Sequence, residues 1–288
     1  MRQWKILVHD DFDGLVSSVL LSIKLKTNIV EFYEHDKKYR VNKNTVIADL
    51  PYQKGAGMWF DHHITSKINK KFKGRFSLDK SCATTIYNHF NKKFPRYYKS
   101  IIKKANKSDS GSYTTADIKN YNKVYLLDRI GFLAPFNNSK EKLLFFKIMF
   151  NHFKNERPFN DLFKNEYIKK LVKRIKNEDK KSLAFVRKNG IIKNKTLVIN
   201  SSNKNITLNP FYIYVRYPKC KYVMIISRKK SKLGILLTFN KFYNTKHTSN
   251  IGGILKRYGG DGHKVIGGCR INKKYKEKVL NEILKKLK

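Results

Sequence analysis

Three short stretches in the first quarter of the chain gather the side chains that hold divalent metal ions. They are His9-Asp10-Asp11-Phe12-Asp13-Gly14, then Ala48-Asp49-Leu50-Pro51, then Asp61-His62-His63. The whole chain has only 21 Asp and Glu, so abundance does not explain Asp11, Asp13, Asp49 and Asp61 falling here. Clustered carboxylates repel one another and are costly to desolvate, so a site that gathers them needs cations. Carboxylate oxygens mixed with imidazole nitrogens suit Mn²⁺, with Mg²⁺, Co²⁺ or Zn²⁺ as alternatives. Two ions close together need a bridging carboxylate and terminal ligands on both sides, and this inventory is sufficient. Singly, each residue has a plainer reading. An Asp after a strand, such as Asp49, or before a glycine, such as Asp13, is often a helix cap, and adjacent histidines are common on surfaces. Their order and spacing together favour a metal centre.

The elements that must position these residues are legible as patterns. Residues 5–8, 28–33, 45–48 and 57–60 read as strands, and residues 15–25 and 81–90 carry helical spacing. Alternating strand, loop and helix is the pattern of a parallel α/β sheet, whose ligands bind at the carboxyl ends of the strands. All three stretches follow apolar runs, so they are expected to meet at one sheet edge. From about residue 121 to 188 the strand-like runs vanish. Leu143, Phe146, Met149 and Phe150 mark one amphipathic helix, and Tyr167, Leu171 and Ile175 another. The charged residues 177–181 are expected on a solvated helix face. Beyond residue 190 strands are predicted at 196–199, 211–215, 222–226 and 234–237. A glycine-rich segment follows at 252–253 and 259–268. A lysine-rich helix closes the chain, with Val279, Leu280, Ile283, Leu284 and Leu287 on the face expected to pack on the second sheet. The predicted fold class is α/β. An N-terminal parallel-sheet domain with its helical connector spans residues 1–185, and a smaller C-terminal α/β domain spans residues 186–288.

Composition bounds the partners. The 288 residues carry 63 Lys and Arg, for a formal net charge of +42. That excess points to a polyanionic partner. The dominance of lysine over arginine, 51 to 12, also fits the codon bias of an AT-rich genome. Residues 186–288 alone hold 25 Lys and Arg against 3 Asp and Glu, as a domain that grips phosphates would. The chain is 41% hydrophobic and 13% aromatic, which excludes disorder. No stretch approaches the roughly 18 to 20 apolar residues of a membrane span, and the first residues lack the features of a signal peptide. Cys82, Cys220 and Cys269 are odd in number and widely spaced, against a disulfide framework or a cysteine-rich zinc site. A cytoplasmic protein is expected, monomer or homodimer, with no membrane partner.

The same residues carry a resemblance. His9-x-Asp11-x-Asp13-Gly14, Asp49 and Asp61-His62-His63 resemble the successive motifs of the DHH phosphoesterase superfamily. Those enzymes include RecJ-type exonucleases, oligoribonucleases, cyclic-dinucleotide phosphodiesterases and relatives acting on polyphosphate or pyrophosphate. Asp109-Ser110-Gly111-Ser112-Tyr113 is similar to a fourth family motif, and Ser81-Cys82-Ala83-Thr84-Thr85 to a small-residue helix after the third. Gly259-Gly260-Asp261-Gly262-His263 resembles the glycine-rich motif of the DHH-associated domain, with Asp261 where the family usually has glycine. The resemblance spans nearly the whole chain, the middle helices excepted. It implies one Mn²⁺ held by His9, Asp11 and Asp49, and a second held by Asp13, Asp49, His62 and Asp109, with Asp49 bridging. It further implies that His63 faces the scissile phosphate and that Asp61 fixes a histidine tautomer.

Gly259, Gly260 and Gly262 would let backbone N–H groups approach a phosphate, with His263 and Arg270 as further donors. Ser227-Arg228 is similar to a Ser/Arg element of that domain, although Arg228 in a run of basic residues also reads as a solvated hairpin. Tyr212, Tyr214, Tyr217 and Tyr258 are candidates for base stacking or for strand packing. His35, His89, His152 and His247 have no partner motif. The expected activity is a metal-dependent phosphodiesterase acting on short single-stranded oligonucleotides of RNA or DNA, in a cleft between the domains. The alternative is hydrolysis of polyphosphate or of a small phosphorylated or cyclic dinucleotide. A nucleic-acid-binding module with a decayed site is the reading from another class, and the intact motif set argues against it.

Overall fold

The computed structural model describes residues 3–34, 39–133, 139–204, 206–229, 231–245 and 248–287. The chain forms two compact units, Met1–Asp117 with Tyr121–Ile175, and Ile118–Asn120 with Lys176–Lys288. The first unit runs β1 (Lys5–His9), α1 (Phe12–Leu25), β2 (Val30–Tyr33), β3 (Thr45–Ala48), β4 (Met58–Asp61) and β5 (Gly74–Phe76). Helices follow: α2 (Cys82–His89), α3 (Arg96–Asp109), α4 (Thr115–Lys119), α5 (Lys123–Leu133), α6 (Ser139–Lys154) and α7 (Glu166–Asn189). The division between the units falls inside α7.

The five strands pair in the order β2-β1-β3-β4-β5, and every neighbouring pair is parallel. Ile6, Leu7, Val8, Val46, Ile47 and Ala48 are wholly buried, as expected of strands covered on both faces. Helix α1 is buried from Phe12 to Ser22, and its small residues Ser17, Ser18 and Ser22 let α2, α3, α6 and the sheet close around it. Trp59 anchors the far side with Leu7, Ile47 and Leu50, its indole N–H donating to the Leu50 carbonyl at 2.9 Å. Strand order reverses at β1, with β2 on one side and β3 on the other. In open parallel sheets that reversal opens a crevice at the carboxyl ends, where His9 and Asp49 stand.

The second unit continues with β6 (Gly190–Lys193), β7 (Thr196–Asn200), α8 (Pro210–Arg216), β8 (Tyr222–Lys229), β9 (Lys232–Phe239), α9 (Ile251–Lys256), β10 (Asp261–Gly262), β11 (Ile266–Asn272) and α10 (Lys276–Lys286). Its sheet has the order β10-β11-β9-β8-β7-β6. The β7–β8 pair is parallel and the others antiparallel. One face, with Met224, Ile226, Leu233, Ile235 and Leu237, packs against Ile251 and Leu255 of α9 and Val279, Leu280, Ile283 and Leu284 of α10. The terminal helix thus packs as its apolar stripe indicates.

The structure corrects two expectations. Residues 211–215 are not a strand; they lie in α8. Asn209 caps that helix by accepting from the Tyr212 N–H at 3.4 Å, and Pro210 occupies its first turn. Cap and proline outweigh the β-propensity of four consecutive buried apolar residues. The charged residues 177–181 do not all face solvent: Asp179 is wholly buried and accepts from the Asn209 amide at 3.4 Å. The three cysteines are free and buried. Among the described residues no helix is long and apolar enough to cross a membrane.

Candidate metal centre

Each motif folds into a specific support. Asp11 caps α1, one oxygen accepting from the Gly14 N–H at 2.8 Å and the other lying 2.8 Å from His9 Nδ1. Gly14 is required by this tight return, since a Cβ there would sit 2.0 Å from the His9 carbonyl oxygen. Asp13, in the first turn of α1, accepts from the Cys82 and Ala83 N–H groups at 2.6 and 3.0 Å. Those amides open α2, whose cap Ser81 accepts from the Thr84 N–H at 3.1 Å. The small-residue helix after the third motif therefore holds Asp13 by its N-terminal amides. Asp49 leaves β3 with φ at 59°, a left-handed conformation that Asp tolerates better than most residues. Asp61 ends β4, and its Oδ1 accepts from the His62 and His63 N–H groups at 2.7 and 3.2 Å. The same oxygen lies 2.8 Å from His63 Nδ1. Asp109 is the last residue of α3.

These supports bring seven predicted residues together. Ligand atoms of His9, Asp11 and Asp49 form one group within 4.8 Å, and those of Asp13, His62 and Asp109 form another. Asp49 lies between them: Oδ2 is 3.8 Å from His9 Nδ1, and Oδ1 is 3.6 Å from His62 Nε2 and 3.6 Å from His63 Nδ1. His62 Nε2 is also 3.7 Å from both Asp13 Oδ2 and Asp109 Oδ2. Asp49 is 0% exposed, and among the described residues neither of its oxygens nor His62 Nε2 has a hydrogen-bond partner. A buried carboxylate without hydrogen bonds is strongly unfavourable. Its two oxygens, each facing a separate donor set, fit two divalent cations.

The electrostatics agree with that fit. Burial, reinforced by the charges of Asp109 and Asp11, holds the Asp13 carboxyl well above the ordinary range. Burial and the charges of Asp11, Asp13 and Asp61 do the same to Asp49. Asp109 is raised mainly by burial, against the opposing pull of His62. Asp11 is net lowered, because its His9 contact and the Gly14 N–H outweigh burial. His9 is raised: burial opposes protonation, but the Asp11 hydrogen bond and charge prevail. His63 is raised by its bond to Asp61.

The glycine-rich segment lies in the second unit, beside a cavity of about 470 Å³ lined by Ser227, Gly234, Leu236, Gly259, Gly260, Asp261, Gly268 and Arg270. Ser227, Gly234 and Arg270 are directly paired across β8, β9 and β11, so they share the sheet face turned away from α9 and α10. Arg228 pairs instead with Leu233, in the row that continues to Ile271, and is not among the lining residues. His263 is exposed, also off the lining, with its N–H donating to the Ile266 carbonyl. Gly260 is needed by packing, since a Cβ would meet the Gly268 carbonyl oxygen at 2.4 Å.

No family model and no curated protein matches this sequence. Solved structures do match the fold. The pGpG-specific phosphodiesterase PggH of Vibrio cholerae superposes with a TM-score of 0.81 at 22% identity, covering 98% of each chain. The DHH domain of a member of the S1p family of ribosomal proteins gives 0.58 at 12% identity, covering 99% of this chain and 86% of that one. Exonuclease RecJ bound to manganese gives 0.56 at 11% identity, covering 98% and 89%. This chain has the DHH fold.

Within the DHH fold, the sequence motifs named the groups that point into the centre but not those that hold them. The amides of Cys82 and Ala83 carry no side-chain signal. Asp128 accepts from Ser108 Oγ at 2.8 Å and so ties the last turn of α3, which bears Asp109, to α5. Ser227 lines the cavity of the second unit where Arg228 does not. Tyr212 and Tyr214 are buried in α8, Tyr258 packs against the core beneath the second sheet, and Tyr217 packs in the cluster around α8. His89 is edge-on to Phe60 at 5.0 Å, His152 Nε2 lies 3.0 Å from the Pro158 carbonyl, and His35 and His247 lie outside the described residues.

Proposed function

We infer that this protein is a metal-dependent phosphodiesterase that hydrolyses short oligonucleotides, linear dinucleotides among them. The observation that carries the reading is Asp49, buried, without a hydrogen-bond partner among the described residues and turned toward a donor set on each side. His9, Asp11 and Asp49 would hold one ion, and Asp13, Asp49, His62 and Asp109 the other. Two bound ions, Mn²⁺ foremost, would supply Lewis acidity to acidify a water and to neutralise charge developing on phosphorus.

The chain's own residues supply orientation. Asp61 fixes His63 Nδ1 as the bonded nitrogen, so substrate contact falls to Nε2. The Asp61 hydrogen bond and charge favour the protonated ring of His63, and its Nε2–H would donate to a phosphoryl oxygen. The side chain of His63 is 34% exposed against 9% for His62, which favours substrate contact for the first and ion binding for the second. The basic excess draws in the polyanion, and Ser227 and Arg270 of the second unit give phosphate donors.

The likeness to a pGpG-specific phosphodiesterase at a TM-score of 0.81, against 0.52 for an exopolyphosphatase-related protein from Bacteroides fragilis, supports a nucleotide substrate over polyphosphate. A panel with Mn²⁺ tests the reading: linear and cyclic dinucleotides, longer RNA and DNA, and polyphosphate. Metal-dependent release of mononucleotides from the linear dinucleotides, lost in Asp49→Ala, is the expected result. Activity on polyphosphate alone, or unchanged activity in the variant, contradicts it.

A further inference from the structure

The geometry points to a base-reading role for Asp261, with guanine as the base. The inference rests on the phosphodiesterase reading above for its place in the reaction, and on the second unit alone for its chemistry. The cavity of about 470 Å³ is lined by Gly234 and Gly268, whose missing side chains leave room for a planar ring beside the apolar side chain of Leu236. Arg270 stands at one side, in line with Ser227. Asp261 stands opposite Gly268 across β10 and β11. Its Oδ1 accepts from the Gly262 N–H at 2.7 Å, which orients the carboxylate.

An acid here is out of keeping with its surroundings. Of the three acids in residues 186–288, Glu277 pairs with Lys276 at 3.2 Å and Glu282 accepts from the Tyr258 hydroxyl at 2.9 Å. Asp261 makes no ion pair among the described residues. A carboxylate repels phosphate, so a cavity that gripped phosphate alone would be better without it. What a carboxylate recognises is a pair of adjacent donors, because it only accepts. Guanine presents such a pair, N1–H beside the N2 amino group. Adenine and cytosine set a ring acceptor beside their amino group, and uracil sets its single N–H between two carbonyl oxygens. Each of those places a lone pair against one carboxylate oxygen. Arg270 is left to a phosphate or to the acceptor edge of the same base.

The test has two arms. Calorimetric binding of GMP and AMP to the full chain is expected to favour GMP by about 10- to 100-fold, the range of a good paired contact. That preference is expected to collapse in Asp261→Asn, whose amide keeps the shape but turns one acceptor into a donor. Hydrolysis of pGpG and pApA with Mn²⁺ is expected to show the same ratio in KM and the same collapse. Equal binding of GMP and AMP by the parent protein overturns the inference, as does an unchanged ratio in Asp261→Asn. Preserved GMP preference without hydrolysis of any dinucleotide overturns the phosphodiesterase reading and leaves the assignment of Asp261 standing.

Discussion

Replacing Asp49 by asparagine separates the cost of the centre from its use. The change keeps volume and removes one charge from among Asp11, Asp13, Asp61 and Asp109, all of which raise the Asp49 pKa in addition to burial. A buried carboxylate without hydrogen bonds costs more than a neutral amide in the same place, so the ion-free variant is expected to be more stable than the parent by about 1–4 kcal/mol. For a unit of this size that is about 3–12 °C in Tm. The gain has a pH signature. The folded pKa of Asp49 lies above its ordinary value of 3.8, so the folded state holds the proton more tightly. The parent therefore loses stability as pH rises from that value through the folded pKa, and the variant's advantage opens over the same window. With Mn²⁺ the order reverses. Saturation at a hundredfold over Kd stabilises the parent by about 2.7 kcal/mol per site, and Asp49 serves both sites, so the variant loses most of that gain. Differential scanning fluorimetry at pH 5 and 8, with and without Mn²⁺, reads all four states. A variant less stable than the parent without ions, or one with an undiminished Mn²⁺ shift, would refute the reasoning.

Other outcomes follow from named contacts. Asp61→Asn leaves the Mn²⁺-induced Tm shift in place but lowers kcat by about 10²- to 10⁴-fold, because His63 loses its fixed tautomer; an unchanged kcat removes His63 from the mechanism. Asp13→Ala abolishes activity and also costs about 1–2 kcal/mol, since the Cys82 and Ala83 amides lose their acceptor; chemical denaturation checks the second effect. Ile283→Ala, at a wholly buried position under the second sheet, costs about 2–5 kcal/mol by the same assay, with metal binding to the first unit retained. Raising salt from about 50 to 300 mM raises KM several-fold with little change in kcat, as screening weakens capture of the polyanion; a salt-independent KM would detach the +42 charge from function.

How much of this was legible in the sequence differs between supports and ligands. His9, Asp11, Asp13, Asp49 and His62 each sit within a few residues of an apolar run, so strand ends and candidate ligands are read together. Their convergence follows from parallel topology alone. The amides of Cys82 and Ala83 that hold Asp13 are backbone groups about 70 positions away, and no residue type advertises them. Residues 211–215 show propensity overruled: Ile, Val and Tyr suggest a strand, but Asn209 and Pro210 start a helix. Asp179 shows the opposite failure, a charge in a charged run that tertiary packing turns inward. Strand alternation decides between Ser227 and Arg228, and the direction of that alternation is fixed only once the sheet's helix-covered face is known.

The central claim is that Asp49 joins two ion sites. Electron paramagnetic resonance of the protein loaded with two equivalents of Mn²⁺ tests it directly. A shared carboxylate predicts an exchange-coupled pair in the parent, with the coupling lost in Asp49→Asn. The six-line spectrum of isolated Mn²⁺ in the parent, with one ion bound per chain, would contradict the account.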